Sequence, residues 1–135
     1  MHAMRPANQS ELRLRPEPAA PSLARAAIAA AASGMPAVVV ADAELLTSEL
    51  VSNAVRHAEL DPSQEIVVRI VADGDVRVEV VDQGPPFEPD LRRPASGSSG
   101  WGLLLVDAVA TSWGVDREGS GNRVWFEVGT RRSGR

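Results

Sequence analysis

The segment ELLTSELVSNAVRHA, from Glu44 to Ala58, decides how the rest of the chain is interpreted. It contains no proline or glycine, and its leucines, valines and alanines recur at helical spacing. This pattern predicts an α-helix. Glu49, Asn53 and His57 stand four residues apart, so they share one face and form a polar stripe along an otherwise apolar helix.

The polar stripe has two interpretations. A carboxylate, an amide oxygen and an imidazole can serve a hydrated divalent metal and an activated nucleophile. Mg²⁺ prefers hard oxygen ligands and keeps most of its waters, so one protein oxygen can be enough. The alternative is an ordinary solvated helix face, and the stripe alone does not distinguish the two.

A second motif follows a predicted strand. Residues 76–81 (VRVEVV) alternate and are rich in β-branched side chains, which is typical of a strand. They run directly into Asp82-Gln83-Gly84. A carboxylate here can accept a hydrogen bond from an exocyclic amine such as that of adenine, and a glycine lets the backbone pass close under a flat base. The alternative is a plain Asp-Gly turn, which is common after strands.

A third motif, GSSGWG at residues 97–102, opens an apolar helix predicted to begin at Leu103. Successive backbone N–H groups at a glycine-rich helix start form an anion site, which the helix dipole strengthens. The spacing also matches a dinucleotide-binding fingerprint, but that fingerprint requires a preceding strand within a compact βαβ unit. A long loop rich in proline, serine and arginine precedes it instead, so the dinucleotide interpretation fails.

Together, the three motifs resemble those of a known superfamily. Glu49-x-x-x-Asn53, Asp82-x-Gly84 and Gly100-x-Gly102 resemble the N, G1 and G2 boxes of the GHKL ATP-binding proteins, which include type II topoisomerases, histidine kinases and mismatch-repair proteins. Within that superfamily, the chain is most similar to the serine-kinase anti-sigma factors, particularly the small actinobacterial ATP-binding regulators. The resemblance extends from about Glu11 to Val128.

The resemblance implies a role for each motif residue. Asn53 would hold the Mg²⁺ that bridges the phosphates of ATP, and Glu49 would act as general base. Asp82 would bind the adenine amine. The length of the loop Pro85–Ser99 favours a lid over the phosphates, with Arg92 or Arg93 as candidate helpers; the alternative for the two arginines is simple solvation in a loop. The nucleotide-binding residues implied in this way are Asn53, Arg56, His57, Asp82, Gly84, Gly97, Gly100, Trp101, Gly102 and Leu103.

The resemblance also implies a function. The chain would be a homodimeric serine/threonine protein kinase that sequesters a sigma factor and phosphorylates a small anti-anti-sigma (STAS-type) protein. A non-catalytic, ATP-gated adaptor that sequesters a regulatory protein is the alternative. A detached histidine-kinase catalytic domain fits less well, because such enzymes need a phosphoacceptor histidine on a dimerisation helix and only His2 and His57 are present.

One position departs from the family pattern. These proteins usually carry a threonine in the last strand that supports the adenine contact, but here the segment is GNRVW at residues 121–125. Asn122 can donate and accept hydrogen bonds, whereas Arg123 cannot accept one and is expected to turn to solvent. We therefore expect weaker ATP binding or a rearranged water network around adenine.

Composition limits the remaining possibilities. The 135 residues suffice for one domain. Cysteine is absent, so any metal must use oxygen or imidazole ligands, and every basic residue is arginine. The net charge of −4 argues against nucleic-acid binding. No run long enough to cross a bilayer and no signal segment are present, so a cytoplasmic location is expected.

The predicted fold is an α+β two-layer sandwich of the Bergerat type. It has a mixed, mostly antiparallel sheet of about five strands with helices on one face, in a single domain over residues 10–130 that follows a disordered segment, residues 1–9. The predicted elements are a strand at Glu11–Arg15, a helix from an N-cap at Ser22 to Ser33-Gly34, a helix from near Pro36 to Ala58, a hairpin of Ile66–Ala72 and Val76–Val81 around Asp73-Gly74, a helix at Leu103–Thr111, and a hairpin of Trp113–Glu118 and Arg123–Val128 around residues 119–121.

Overall fold

The computed structural model describes residues 8–57, 60–86 and 101–129. Its elements in chain order are β1 (Asn8–Leu14), α1 (Ala20–Ala31), α2 (Ala37–His57), β2 (Ile66–Asp73), β3 (Asp75–Asp82), α3 (Trp101–Val109), β4 (Ser112–Glu118) and β5 (Gly121–Val128). Within these ranges, no helix has both the length and the apolar character needed to cross a membrane.

The five strands form one open sheet in the order β1-β2-β3-β5-β4. All four pairings are antiparallel, so the α+β fold class is confirmed, without the parallel pairing that a mixed sheet would contain. Both predicted hairpins are present. Gly74 and Gly119 stand in their turns with φ of 80° and 60°, a conformation that glycine adopts at no steric cost.

The inner face of the sheet forms the core. Alternate residues of β3 and β5 point inward, and Val78 and Phe126 have no exposed surface. They belong to one buried cluster with α1 and α2, which follows from the period of two in a strand and the apolar stripe of each helix. In α1 that stripe is made of alanines, among them Ala24, together with Ile28, and α1 packs on α2.

The outer face of the sheet carries arginine–carboxylate pairs. Arg69 donates to both oxygens of Glu118, at 3.0 and 2.7 Å, and this hydrogen bonding lowers the pKa of the Glu118 carboxyl. Arg123 was expected to turn to solvent, but its guanidinium is 2.7 Å from Asp116 and 3.1 Å from Glu79. Arg123 does lie on the outer face, but it is paired there because β5 aligns it with Asp116 as a cross-strand partner, and opposite charges pair at such positions.

Some element boundaries differ from the prediction. β1 begins at Asn8 rather than Glu11, and α3 begins at Trp101 rather than Leu103. Ser22 is not the N-cap of α1: the cap is Ala19, and the Ser22 hydroxyl donates to the Ala19 carbonyl oxygen. A proline in the first turn permits this earlier start, because the N–H that proline lacks has no helical partner there. Residues 1–7 of the predicted disordered segment and 87–99 of the predicted lid lie outside the described residues.

Candidate functional site

Asp82 lies at the inner face where β3 ends. The alternation of β3 turns it toward the core, and only 6% of its surface is exposed. Its Oδ1 accepts a hydrogen bond of 2.7 Å from the N–H of Gly84, which is also buried. Among the described residues none donates to Oδ2. Within the described residues the carboxylate is therefore held through Oδ1 alone, which leaves Oδ2 as the candidate acceptor for a ligand.

Asn122 lies beside Asp82 as its cross-strand partner at the start of β5. Its side chain is buried, and Nδ2 is 3.1 Å from Asp82 Oδ1, 3.2 Å from the Gly84 carbonyl oxygen and 2.8 Å from that of Pro85. Sequence reasoning treated Asn122 as a weak substitute for a threonine and left it out of the site. The signal was available: Asn122 is in phase with the apolar Val124, Phe126 and Val128 of β5, so it had to point inward.

Gly121 is a second residue of the site that sequence reasoning missed. A Cβ at this position would overlap the carbonyl oxygen of Asp82 and come within 3.1 Å of the Cα of Gln83. Only glycine lets β5 approach the end of β3 so closely. Its place in the chain, directly before Asn122, means that the same close approach brings the Asn122 amide to Asp82.

We expect Gly121→Ala to displace the end of β3. Overpacking of this kind costs about 1–3 kcal/mol of unfolding free energy, and the shift of Asp82 should weaken ATP binding. Urea denaturation and calorimetric titration with ATP measure the two effects. Ser120→Ala is the matched control, because that side chain makes no hydrogen bond within the described residues. An alanine variant with unchanged stability and affinity would contradict a strict requirement for glycine.

Helix α2 contributes the second part of the site. Glu49 and Asn53 lie one turn apart, and α2 contacts β3, β5 and α3. No described residue hydrogen-bonds or ion-pairs with the Glu49 carboxylate. The Asn53 Oδ1 is buried and has no hydrogen-bond partner in the described part of the chain; the only other such side-chain atom there is Thr47 Oγ1, on the same helix.

The Asn53 oxygen fits a magnesium ligand. A buried acceptor without a partner costs about 1–3 kcal/mol, so proteins seldom keep one unless a ligand or water meets it. An amide oxygen is a hard donor of the kind that Mg²⁺ accepts. The donor set thus agrees with a metal held by one protein oxygen and by the phosphates of a nucleotide.

The other predicted nucleotide-binding residues are only partly described. Arg56 is exposed on α2, and Leu103 is buried in α3. Trp101 and Gly102 form the start of α3 and His57 the end of α2, but the structure does not describe their side chains. Gly97 and Gly100 lie outside the described residues, as do Arg92 and Arg93. Of the predicted site residues that the structure describes, Asp82 and Gly84 are in direct contact, and Asn122 hydrogen-bonds with both of them.

Comparisons with solved structures agree with this architecture. A structure of the RsbU and RsbW domains of Rv1364c from Mycobacterium tuberculosis superposes with a TM-score of 0.68, at 23% identity over 90% of this chain and 32% of that one. The histidine kinase domain of the blue-light activated kinase EL346 from Erythrobacter litoralis gives a TM-score of 0.52, at 26% identity over 82% of this chain and 59% of that one. The chain thus spans about a third of the first protein and three fifths of the second.

Comparisons of sequence identify the family. The uncharacterized protein SCO4941 of Streptomyces coelicolor is 32% identical over 82 residues, which are 59% of this chain and 78% of that protein. Residues 12–128 match the histidine kinase-like ATPase domain, a range that includes every described residue of the site. The chain therefore belongs to the histidine kinase-like ATPase domain family.

Proposed function

We propose that this chain is a serine/threonine protein kinase that uses Mg·ATP to regulate transcription. Family membership supports ATP binding and kinase-type activity in general. The observation that carries the finer proposal is the pair on α2: a Glu49 carboxylate without a described partner, one turn from a buried Asn53 oxygen that also lacks one. A general base and a metal ligand have these two properties before substrate binds.

Each residue has a defined task in this proposal. Asp82 accepts a hydrogen bond from the adenine amine through Oδ2, and Asn53 supplies the one protein oxygen for Mg²⁺. Bound Mg²⁺ neutralises charge on the phosphates. Glu49 takes the proton of the incoming serine hydroxyl while the serine oxygen bonds to the γ-phosphorus. The bond to the β,γ-bridging oxygen breaks, and ADP leaves with that electron pair.

The proposed partners follow from the motif resemblance. They are a sigma factor, which the chain would hold as a homodimer, and a small anti-anti-sigma protein of the STAS type, which would receive the phosphoryl group. Such proteins act in the cytoplasm, so the proposal places this chain there. The absence of the family's last-strand threonine favours the alternative, an ATP-gated adaptor. That argument is weakened because Asn122, at the threonine's place, hydrogen-bonds to Asp82.

The functional test is capture followed by transfer. The chain is used to capture proteins from lysate with and without ATP, and the recovered partner is then incubated with γ-labelled ATP. We expect label on a serine or threonine of the partner. A partner captured in an ATP-dependent way but never labelled would identify the chain as an adaptor instead.

Base recognition gives a prediction of its own. Asp82→Asn should weaken ATP binding roughly ten- to hundredfold, since hydrogen bonds to charged groups contribute about 1.5–3 kcal/mol and an amide N–H would face the adenine amine. Calorimetry with Mg·ATP measures the loss. Asp73→Asn, in the exposed β2–β3 hairpin, is the matched control. GTP, which presents a carbonyl at the corresponding position, should bind poorly to wild type; equal affinity for GTP would remove the proposed role of Asp82.

A further inference from the structure

We propose that Asn122 is the positioning residue of the base site, and that it sets the preference for a purine that carries its exocyclic amine at C6, as adenine does. It would do so by holding the Asp82 carboxylate through Oδ1, so that Oδ2 remains the acceptor for the amine. This inference rests on the proposed ATP binding. It assigns to this chain a device that differs from the threonine of related proteins.

The surroundings of Asn122 fix which way its amide points. Its Nδ2 is within hydrogen-bond distance of three acceptors: Asp82 Oδ1 and the carbonyl oxygens of Gly84 and Pro85. Its Oδ1 lies 3.0 Å from Nη1 of Arg117, which only donates. A flipped amide would place an oxygen against three acceptors and an N–H group against a guanidinium. The observed orientation is the one that all four neighbours favour.

The same contacts imply that Asn122 acts through Asp82. An amide has two hydrogens, and the three acceptors around Nδ2 engage both. Asn122 therefore has no N–H group left for a base, whereas Oδ2 of Asp82 accepts no hydrogen bond from the described residues. Because both side chains are buried, at 2% and 6% exposure, the hydrogen bond between them is stronger than a surface contact and its loss is costly.

Arg117 reinforces the arrangement from β4. Its guanidinium donates to the Asn122 Oδ1 at 3.0 Å and to the Ser120 carbonyl oxygen at 2.5 Å. A charged donor on the oxygen side polarises the amide and strengthens the N–H donation on the other side. A threonine at position 122 would have one hydroxyl hydrogen, so it could satisfy only one of the three acceptors. We expect Asn122→Thr to hold the carboxylate less firmly.

The test compares ATP with purine riboside triphosphate, which lacks the exocyclic amine. By calorimetry, wild type should prefer ATP roughly ten- to hundredfold. In Asn122→Ala the affinity for ATP should fall until the preference is within about threefold, with little change for the other nucleotide, since only the contact to the amine depends on Asp82. Asn122→Thr should give an intermediate preference. A purely structural role would lower both affinities equally and leave their ratio unchanged.

Control variants and wild type separate the possible failures. Arg123→Ala alters the next residue of β5, which faces the opposite side of the sheet, and should keep the wild-type ratio. If wild type binds neither nucleotide, the proposed function fails. If wild type prefers ATP and Asn122→Ala keeps that preference, only the inference about Asn122 is overturned. Should the alanine variant not fold, the threonine variant decides: a full wild-type ratio overturns the inference, and a reduced ratio supports it.

Discussion

Replacing Glu49 with glutamine should lower phosphoryl transfer to the captured partner by about two to four orders of magnitude, the usual contribution of a general base. Glutamine keeps the shape and the hydrogen-bonding reach of the side chain but cannot take the proton. ATP binding should survive, because no described residue depends on the Glu49 carboxylate. Label transfer at saturating Mg·ATP, with calorimetry on the same variant, measures both quantities.

Glu44→Gln provides the matched control for this experiment. Glu44 lies on the same helix five residues earlier, which places it on a different face from Glu49, and its substitution should leave transfer unchanged. Robust transfer by Glu49→Gln would refute the role of base and leave positioning and charge neutralisation as the sources of catalysis. Absence of transfer in wild type and variant alike, with equal partner capture, would favour the ATP-gated adaptor.

Replacing Asn53 with alanine should abolish the gain in ATP affinity that Mg²⁺ provides. The variant removes the one protein oxygen proposed to hold the metal, so only the phosphates and water remain as ligands. Stability should not fall in the absence of Mg²⁺, because the Asn53 Oδ1 has no hydrogen bond to lose in the described part of the chain. Calorimetry with and without Mg²⁺, together with urea denaturation, tests both expectations.

Two further variants sharpen the magnesium experiment. Asn53→Asp keeps an oxygen at the same position and should retain the response to Mg²⁺, and Ser52→Ala, next to it on the helix, should behave as wild type. If Asn53 has a structural role instead, alanine would destabilise the fold by about 1–2 kcal/mol and leave the response to Mg²⁺ intact. If Asn53 is a metal ligand, alanine removes the response to Mg²⁺ and keeps the stability. If Asn53 is structural, alanine lowers the stability and keeps the response.

Local sequence patterns were sufficient to predict most of the fold. The α2 helix follows from a run without proline or glycine, and the β2–β3 hairpin follows from alternating valines around Gly74. The family resemblance is confirmed by the match over residues 12–128. The roles of Glu49 and Asn53 remain predictions, which the glutamine and alanine variants test.

Properties that depend on strand pairing could not be predicted from local sequence patterns. Nothing in the segment GNRVW shows that Asn122 stands opposite Asp82 or that Arg123 stands opposite Asp116; both follow from the register of β5 between β3 and β4. The contact of Gly121 with the Asp82 carbonyl likewise arises only when β5 pairs with β3. On sequence alone, position 122 is compared with a threonine, whereas the register of β5 shows how an amide with two hydrogens fits there.

The pairing of β3 with β5 also has a consequence for the order of folding. Each hairpin closes a short loop, but the hydrogen bond between Asp82 and Asn122 joins residues 40 positions apart. Closing this longer loop is entropically more demanding, and chains rich in non-local contacts fold more slowly. The proposed base site is therefore complete only after the two hairpins have docked. A nucleotide bound there would stabilise the completed fold relative to the unfolded chain.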